Sequence, residues 1–446
     1  MTASVFSGGC AQVGYPTGGP KDTIAPKLIR ATPAYGSRNV SSPAIRLDFN
    51  EYIDVQDLQN NLVVSPLQKR MPMIIINTRS ISIKFRDTLM PNTTYTINFG
   101  NAVKDINEGN VYKDLSYTFS TGNTLDSLTL SGTVLQAETG TADSTLIVML
   151  YRNAADSTVK TVRPNYIAKI NGDGSFRFEH LPAAPFKIYA LKDADGGKTY
   201  NSLSEEFAFA NTDVHPETDN GITLYAYAEE KSTDNKKTPS LKPAAEKKLR
   251  ANVNLTGPQD LFQPLEIDFS GPLKFVDSNK IYLTDTSFNR IPGAHFLMDS
   301  TAKKIFLNYP WKPDMRLIFL MEKDAVKDSV GNMLAKNDTV RFTTKKTEDY
   351  GKLSLRFTGL DLQKHPVLEF VSGDQILFSY PLTSDEWHND MFLPGQYDIR
   401  ILYDADQNGK WTPGDYSKKR QPELNITLPQ KLSVRADWDN EREISL

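Results

Sequence analysis

The chain has 446 residues, a net charge of −3, and hydrophobic residues at 39% of its positions. Its length predicts about three domains, and its near-neutral charge excludes the strongly basic surface that nucleic-acid binding requires. Gly and Pro number 26 each, beside 19 Tyr and 22 Phe, a mixture that favours short strands joined by tight turns.

The N-terminal segment carries the single cysteine of the chain, Cys10, which follows the small residues of Ser7-Gly8-Gly9. This pattern resembles a bacterial lipobox, although Leu is usual where this chain has Ser7. The resemblance implies that residues 1–9 are the remnant of a signal peptide and that an acylated Cys10 anchors the chain in the outer membrane. The alternative is an ordinary exposed thiol. Residues 10–26 are rich in Gly and Pro and predict a tether.

Strand patterns begin directly after the tether. Residues 44–49, 80–85 and 94–99 alternate between apolar and polar side chains, as half-buried strands do. Almost no helical periodicity interrupts them. We therefore predict a β-sandwich over residues 27–123.

Three more domains are predicted further along the chain. The second covers residues 126–228, where the nearly continuous apolar run at 147–151 indicates a central strand. Residues 229–249 are charged and nearly devoid of large apolar groups, so they predict a solvated linker rather than a basic docking patch. Further strand patterns predict a third domain over 250–346 and a fourth over 349–446.

The chain also repeats itself at an interval of about 220 residues. The tetrapeptide Ala-Val-Lys-Asp at 102–105 returns unchanged at 325–328, and Phe-Ser-Thr at 119–121 returns as Phe-Thr-Thr at 342–344. A repeat of this length is a duplicated block of domains, because solenoid repeats run only about 20 to 50 residues. Chains that copy whole modules are more often scaffolds and binders than enzymes with a single cleft.

The first and third domains resemble the bacterial Ig-like domain first described in S-layer proteins. In that family a D-x-x-G-N turn precedes a last strand that ends in F-x-T. Asp328, Gly331 and Asn332 keep this spacing, and the turn of the first domain, which begins at Asp105, is one residue longer. Gly supplies the positive φ of such a turn, and Asp or Asn bonds its own backbone.

The second and fourth domains resemble the transthyretin-like fold of carboxypeptidase regulatory domains. Residues 173–178 read Asp-Gly-Ser-Phe-Arg-Phe, and residues 393–397 read Leu-Pro-Gly-Gln-Tyr, although the fourth domain lacks a clear D-G-x-F turn. The chain also resembles outer-membrane lipoproteins of Bacteroidota in the order of its segments, which is a lipobox cysteine, a Gly-Pro tether and then an Ig-like domain. These resemblances imply an all-β fold of tandem Ig-like and transthyretin-like sandwiches and a place in the envelope, but no shared chemistry.

An acidic loop in the fourth domain is the clearest candidate for a metal site. Asp404, Asp406, Asn408 and Asp415 fall at positions 1, 3, 5 and 12 of the twelve-residue calcium-loop pattern, and Lys410 at position 7 offers its carbonyl. Strand-like flanks predict a structural Ca²⁺ site on a β scaffold rather than an EF-hand. The alternative is a polar turn that needs no metal. No cofactor is predicted to be required.

The corresponding loop of the second domain is a weaker calcium candidate. Asp193 and Asp195 keep positions 1 and 3, but Gly197 and Lys198 replace the residues at positions 5 and 6.

All four tryptophans lie in the second half of the chain. Trp387 and Trp411 are the two that we consider as platforms for sugar rings, because the first lies beside His388 and the second lies inside the acidic loop. The alternative for both is core packing, the commoner role of Trp in a β-sandwich.

The enzyme motifs considered are incomplete or absent in this sequence. Gly197-Lys198-Thr199 lacks the first glycine of a P-loop, there is no Gly-x-Ser-x-Gly elbow, and the five histidines have no metal-ligand spacing. We therefore predict a non-catalytic envelope lipoprotein that acts as a scaffold and meets the membrane through Cys10, with envelope proteins or glycans as further partners. The alternative is a calcium-ordered glycan-binding accessory module, and a β-rich hydrolase ranks third.

Overall fold

The computed structural model describes residues 21–152, 155–230, 249–373 and 375–446. Within these residues almost every regular element is a strand, so the predicted all-β class is confirmed. The helical elements are short: the α-helix Leu58–Asn61 and the 3-10 helices Asp156–Lys160, Ser278–Lys280, Thr347–Asp349, Leu362–Lys364 and Tyr416–Lys418. Cys10, most of the predicted tether and most of the predicted linker lie outside the described residues.

Contacts divide the chain into two units. The first unit is Met1–Ser232 together with Trp411–Asn425, and the second is Thr233–Lys410 together with Ile426–Leu446. The segment Trp411–Asn425, which we call the inserted segment, therefore belongs to the unit built from the first half of the chain.

The first group of strands in the first unit forms three sheets, of order β1-β2-β6-β5, β3-β8 and β4-β7-β9. Alternation places Ile45, Leu47 and Phe49 of one sheet and Tyr95 and Ile97 of another in a single buried core. The strands are β1 (Leu28–Thr32), β2 (Ala44–Phe49), β3 (Ile53–Val55), β4 (Val63–Ser65), β5 (Met73–Asn77), β6 (Ser80–Lys84), β7 (Thr94–Gly100), β8 (Val103–Asp105) and β9 (Leu115–Ser120).

The second group of strands forms a sheet of order β13-β10-β16, in which β10 and β16 are parallel, and a sheet of order β12-β11-β14-β15. The strands are β10 (Leu128–Gln136), β11 (Ile147–Arg152), β12 (Tyr166–Lys169), β13 (Ser175–Leu181), β14 (Phe186–Leu191), β15 (Phe207–Phe209) and β16 (Ile222–Ala226). Val148 and Leu150 of β11 face one buried cluster and Met149 and Tyr151 face another, so β11 is buried on both faces, as its apolar run predicts.

In the second unit, the first group of strands has the sheet orders β17-β18-β23-β22, β19-β25 and β21-β20-β24-β26. The strands are β17 (Ala251–Val253), β18 (Leu265–Phe269), β19 (Leu273–Val276), β20 (Ile281–Thr284), β21 (Arg290–Ile291), β22 (His295–Met298), β23 (Lys304–Asn308), β24 (Arg316–Met321), β25 (Val326–Asp328) and β26 (Asp338–Thr343).

The last group of strands contains a sheet of order β30-β27-β34, in which β27 and β34 are parallel, and a sheet that includes the order β29-β28-β31. The strands are β27 (Gly351–Thr358), β28 (Pro366–Ser372), β29 (Gln375–Pro381), β30 (Glu386–Phe392), β31 (Gly395–Tyr403), β32 (Leu424–Thr427), β33 (Leu432–Val434) and β34 (Asp439–Ser445).

Several strand orders of the two halves correspond, although β21 in β21-β20-β24-β26 has no counterpart in β4-β7-β9. The order β1-β2-β6-β5 matches β17-β18-β23-β22, and β13-β10-β16 matches β30-β27-β34, including its one parallel pair. The repeat in the sequence is therefore a repeat of topology.

Candidate functional site

The acidic loop follows β31 and folds onto its own backbone. Asp404 is only 3% exposed, and its carboxylate accepts hydrogen bonds from the N–H groups of Asn408 at 3.1 Å and Gly409 at 2.7 Å. The exposed Asp406 accepts from Asn408 N–H at 3.1 Å. Asn408 Oδ1 accepts from the N–H of Lys410 at 2.7 Å.

This arrangement agrees with both interpretations of the loop. A carboxylate has about four lone-pair directions, so Asp404 can hold two backbone N–H groups and still offer oxygen to a hard cation. The polar-turn interpretation needs no more than the bonds that are present. Calcium at Asp404, Asp406, Asn408 and Lys410 therefore stays a prediction.

Asp415, the predicted twelfth position of the loop, lies in the inserted segment of the first unit. Its carboxylate accepts from Ser417 Oγ at 2.6 Å and from Lys418 N–H at 3.2 Å, and it forms an ion pair with Lys418 Nζ at 2.8 Å. The bonds from Lys418 and Ser417 hold the pKa of Asp415 well below its usual range. The carboxylate thus caps the helix Tyr416–Lys418, and its role as a metal ligand stays a prediction.

In the corresponding loop of the first unit, the side chain of Lys198 forms an ion pair with Asp193. Asp193 Oδ1 accepts from the N–H of Lys198 at 2.9 Å, and the ammonium of the same lysine lies 3.3 Å from Asp193 Oδ2. Asp195 accepts from Gly197 N–H at 2.7 Å and from Asn201 Nδ2 at 2.9 Å. A metal ion at Asp193 would have to displace this ammonium, which is consistent with the weaker prediction for this loop.

Trp387 lies on β30 in the second unit and is half-buried. Its ring centroid lies 5.0 Å from that of Tyr380 and 5.5 Å from that of Phe370, so the indole packs against the core. Trp387 also lines a groove of about 540 Å³ whose wall includes Arg356 and Glu386, and the Arg356 Nη2 atom lies 2.7 Å from Glu386 Oε1. The indole thus packs against the core and also borders the groove, and sugar binding by Trp387 stays a prediction.

Trp411 lies in the inserted segment, where it is half-buried against an aromatic cluster. Its indole Nε1–H donates to the carbonyl of Glu423 at 2.7 Å. These contacts are those expected of a packing residue, and sugar binding by Trp411 stays a prediction.

The aromatic cluster itself is a feature that the sequence reasoning missed. It lies on the outer face of the sheet β12-β11-β14-β15 and is closed by Tyr416 of the inserted segment, whose ring centroid is 5.0 Å from that of Phe207 and 5.1 Å from that of Phe209. Its large members are Tyr151, Tyr189, Tyr200, Phe207, Phe209, Tyr227 and Tyr416. The apolar run of β11 indicated that both faces of this strand are buried. No local sequence pattern identified the segment that covers the second face.

Polar contacts fix the inserted segment over this cluster. Asn425 donates from its N–H to the carbonyl of Ala137 at 3.0 Å and from Nδ2 to the carbonyl of Glu138 at 2.9 Å. Gln421 Nε2 donates to the carbonyl of Phe209 at 3.0 Å. Apolar burial and satisfied backbone groups together make the inserted segment an integral part of the first unit.

The two D-x-x-G-N-type turns are built around a buried or half-buried carboxylate. Asp105 accepts from the N–H groups of Asn107, Glu108, Gly109 and Asn110 at 2.6 to 3.0 Å. Burial tends to raise the pKa of Asp105, but these donors outweigh it and hold the pKa below the usual range.

Asp328 repeats this arrangement in the second unit. Its carboxylate accepts from Val330 N–H at 2.9 Å and from Asn332 N–H at 2.8 Å. The signature acid of each turn is therefore a structural acceptor of backbone N–H groups.

These sheets and turns define an all-β chain that contains Ig-like domains. Comparison with protein families shows that residues 22–121 match the bacterial Ig-like domain, which confirms the resemblance of the first domain. No curated protein matches the chain.

Several solved structures align with the chain at low similarity. The N-terminal part of the bacterial S-layer protein SbsC is 14% identical, with a TM-score of 0.17; the alignment covers 46% of this chain and 44% of that one. BcpA, the major pilin subunit of Bacillus cereus, is 8% identical, with a TM-score of 0.17, over 72% of this chain and 99% of that one. The chain thus spans less than half of the S-layer fragment. At such TM-scores these matches carry no argument about this protein.

One observation and one earlier prediction concern the membrane. No helix in the described part of the chain is long and apolar enough to cross a bilayer. Cys10, on which the predicted lipid anchor depends, lies outside the described residues.

Proposed function

We propose that this protein is a non-catalytic lipoprotein of the cell envelope, held at the outer membrane through an acylated Cys10, and that it serves as a structural or interaction scaffold. The observation that carries the proposal is the bacterial Ig-like domain at residues 22–121, which begins shortly after the lipobox-like Ser7-Gly8-Gly9-Cys10. The simplest interpretation of this order of segments is a folded domain that a short tether joins to a lipid anchor.

The use of the acidic residues supports a non-catalytic role. Asp105 and Asp328 each use both carboxylate oxygens to accept hydrogen bonds from N–H groups of their own turns. A general acid or base needs an oxygen free to reach a substrate proton, whereas an acceptor of several backbone N–H groups stabilises a turn. These carboxylates therefore serve the fold.

The lipid anchor is tested by metabolic labelling with a palmitate analogue in cells that express the full-length protein. We expect label on the wild-type chain, no label on Cys10→Ser, and a shift of that variant from the membrane fraction to the released fraction. Label that survives Cys10→Ser, or an unlabelled wild-type chain, would contradict the anchor. Either result would leave the assignment of residues 22–121 to the bacterial Ig-like domain unchanged.

The groove beside Trp387 favours a second candidate function, that of a glycan-binding accessory module. Trp387, Arg356 and Glu386 line this groove together, so a sugar could stack on the indole and hydrogen-bond to the charged pair. A glycan array is the test, with Trp387→Ala as the disabling variant and Trp438→Ala as the matched control, because Trp438 is 59% exposed and does not line the groove. Binding that both variants retain, or no binding at all, would remove this candidate.

A further inference from the structure

The strand β5 is an edge of the first Ig-like domain, and β3 approaches it near its C-terminal end, where the N–H of Ile53 donates to the carbonyl of Thr78 at 2.9 Å. The strand β5 pairs with β6 on one side only and ends the sheet order β1-β2-β6-β5. Its sequence is Met73-Ile74-Ile75-Ile76-Asn77, without any charge, and Ile75 is 46% exposed, with Met73 and Ile76 similarly open. An exposed apolar edge is a template for another strand, and proteins that stay monomeric usually block it with charge, Pro or a bulge.

The same edge returns in the second unit. The strand β22 ends the order β17-β18-β23-β22, and its Leu297 is 63% exposed. Phe296 of β22 lies opposite Leu307, as Ile74 of β5 lies opposite Ile83. Both copies of the Ig-like domain thus keep an open apolar edge at the same place in the fold.

Two other apolar edges in the described residues, β1 and β29, are blunted. The strand β1, on the opposite side of the β5 sheet, has a bulge at Ile29 and a charge at Arg30. The strand β29 has a bulge at Leu377 and ends in Pro381. In contrast, the registers of β5 and β22 run without a shift, so their outward ladder groups form an unbroken row.

We propose that β5 and β22 are self-association sites, at which the same strand of a second copy of this chain adds in antiparallel orientation. The turn at residues 78–79 closes on the pair Asn77 and Ser80, so the backbone groups of Ile74 and Ile76 point away from β6. A two-fold pairing centred on Ile75 lets these groups bond across the interface, with Ile74 opposite Ile76.

Chemical complementarity supports a second copy as the occupant. Pairing about Ile75 places Met73 opposite Asn77, and no like charges meet. Pairing of β22 about Leu297 places Phe296 opposite Met298, again with no like charges opposite each other. Each strand can therefore pair with a second copy of itself without charge repulsion.

The size of the contact predicts the form of the assembly. Two strands of this length bury less than the roughly 1,200 Å² of a stable interface, so each contact is weak. A two-fold contact closes on itself, but a chain with two different two-fold contacts can extend. Dimers are expected through either edge alone, and longer assemblies through both.

Sedimentation velocity of the full chain tests the proposal, with Cys10→Ser in every sample to exclude lipid and disulfide effects. From about 1 to about 200 µM, the range in which so small a contact dissociates, the average mass of this parent should rise beyond that of a dimer. In Ile75→Lys or in Leu297→Lys, the average mass should not rise beyond that of a dimer. The double variant should stay monomeric. The control is Ile29→Lys, since Ile29 is 65% exposed but lies in the bulge of β1; it should behave as the parent does.

Because the substituted residues are exposed, far-UV circular dichroism should match the parent. A parent that is monomeric throughout, or a double variant that associates as the parent does, would overturn the proposal and leave the edges to strands of other proteins.

A cysteine at the predicted centre tests the register. In the Cys10→Ser background, Ile75→Cys should oxidise to a disulfide dimer, because residue 75 would face its copy in a non-hydrogen-bonded pair, the closer kind of cross-strand pair, whose Cβ separation of about 4.5 Å is within reach of a disulfide. Ile29→Cys should remain monomeric under the same conditions. Association without a disulfide at residue 75 would contradict the pairing centred there.

Discussion

The hydroxyl of Tyr416 lies 3.0 Å from the hydroxyl of Tyr189, although the two residues are 227 positions apart in the chain. Tyr416 also donates to the carbonyl of Asp156 at 2.8 Å. Burial raises the pKa of Tyr189 to about 12, so both hydroxyls stay protonated and available as donors. This pair joins the inserted segment to the second group of strands in the first unit.

Removal of the Tyr416 ring should strongly destabilise the first unit. Tyr416→Ala leaves a cavity in the aromatic cluster, and we expect a loss of about 3 to 5 kcal/mol in the free energy of unfolding. Tyr416→Phe keeps the ring and loses only the hydroxyl bonds, which should cost about 1 kcal/mol. Urea unfolding of the full chain measures both. Trp438→Ala, at an exposed position, should change little; equal effects of Tyr416→Ala and Trp438→Ala would refute the role of the cluster.

Gly414 is a second point at which the inserted segment can be tested. A Cβ atom at this position would overlap the ring of Tyr227, so Gly414→Ala should push the segment away from the cluster. We expect a lower melting temperature, by several degrees for a cost of about 1 to 3 kcal/mol, measured by calorimetry. Gly257→Ala is the control, because nothing lies within 4 Å of the added carbon there. A neutral Gly414→Ala would show that the segment does not pack this closely.

The turn at Asp105 predicts a dependence on acid. The folded pKa of Asp105 lies below its ordinary value of 3.8, so its stabilisation is fully present above that pH and is lost as the pH falls through the folded pKa. Asp105→Ala should lower the melting temperature of the first domain at pH 7 by about 5 °C or more, and by less at pH 3.

Calorimetric scans at the two pH values measure this difference. Glu108→Ala is the control, because the N–H of Glu108, rather than its side chain, binds Asp105. A deficit of Asp105→Ala that is the same at both pH values would contradict the titration.

Calcium should stabilise the chain modestly if the acidic loop binds it. With a dissociation constant of about 0.1 to 1 mM, 1 mM Ca²⁺ adds roughly 0.4 to 1.4 kcal/mol by linkage. Asp406→Asn should abolish this gain, because the amide lacks the negative charge of the carboxylate that is predicted to bind the ion. Asp193→Asn should keep it, since Lys198 already neutralises that loop. Isothermal calorimetry without heat, together with an unchanged melting temperature in Ca²⁺, would show that the loop is only a polar turn.

The strands were largely predictable from the sequence, because alternation reports burial on one face of a sheet. The prediction over residues 44–49 coincides with β2, and the prediction over residues 94–99 coincides with β7 to within one residue. The turn at Asp328 was also predictable, since Asp and Gly at fixed spacing describe a local backbone shape.

The inserted segment and the open edges could not be predicted in this way. Tyr416 stands among polar residues in a stretch that looks like a loop, and its partners Tyr189 and Phe207 are distant in the chain. Ile75 belongs to an apolar run that a buried strand would show equally well. Only the arrangement of strands in space distinguishes a core strand from an edge.

The inserted segment also limits how far the two duplicated blocks can be separated. Two copied blocks usually remain modular, so that either can be lost, swapped or expressed alone. Here residues 411–425, encoded by the second block, complete the aromatic cluster of the first unit. A cut between the copies would strip Tyr189, Phe207 and Phe209 of their cover and expose them to water. Residues from the second block are therefore needed to complete the first unit.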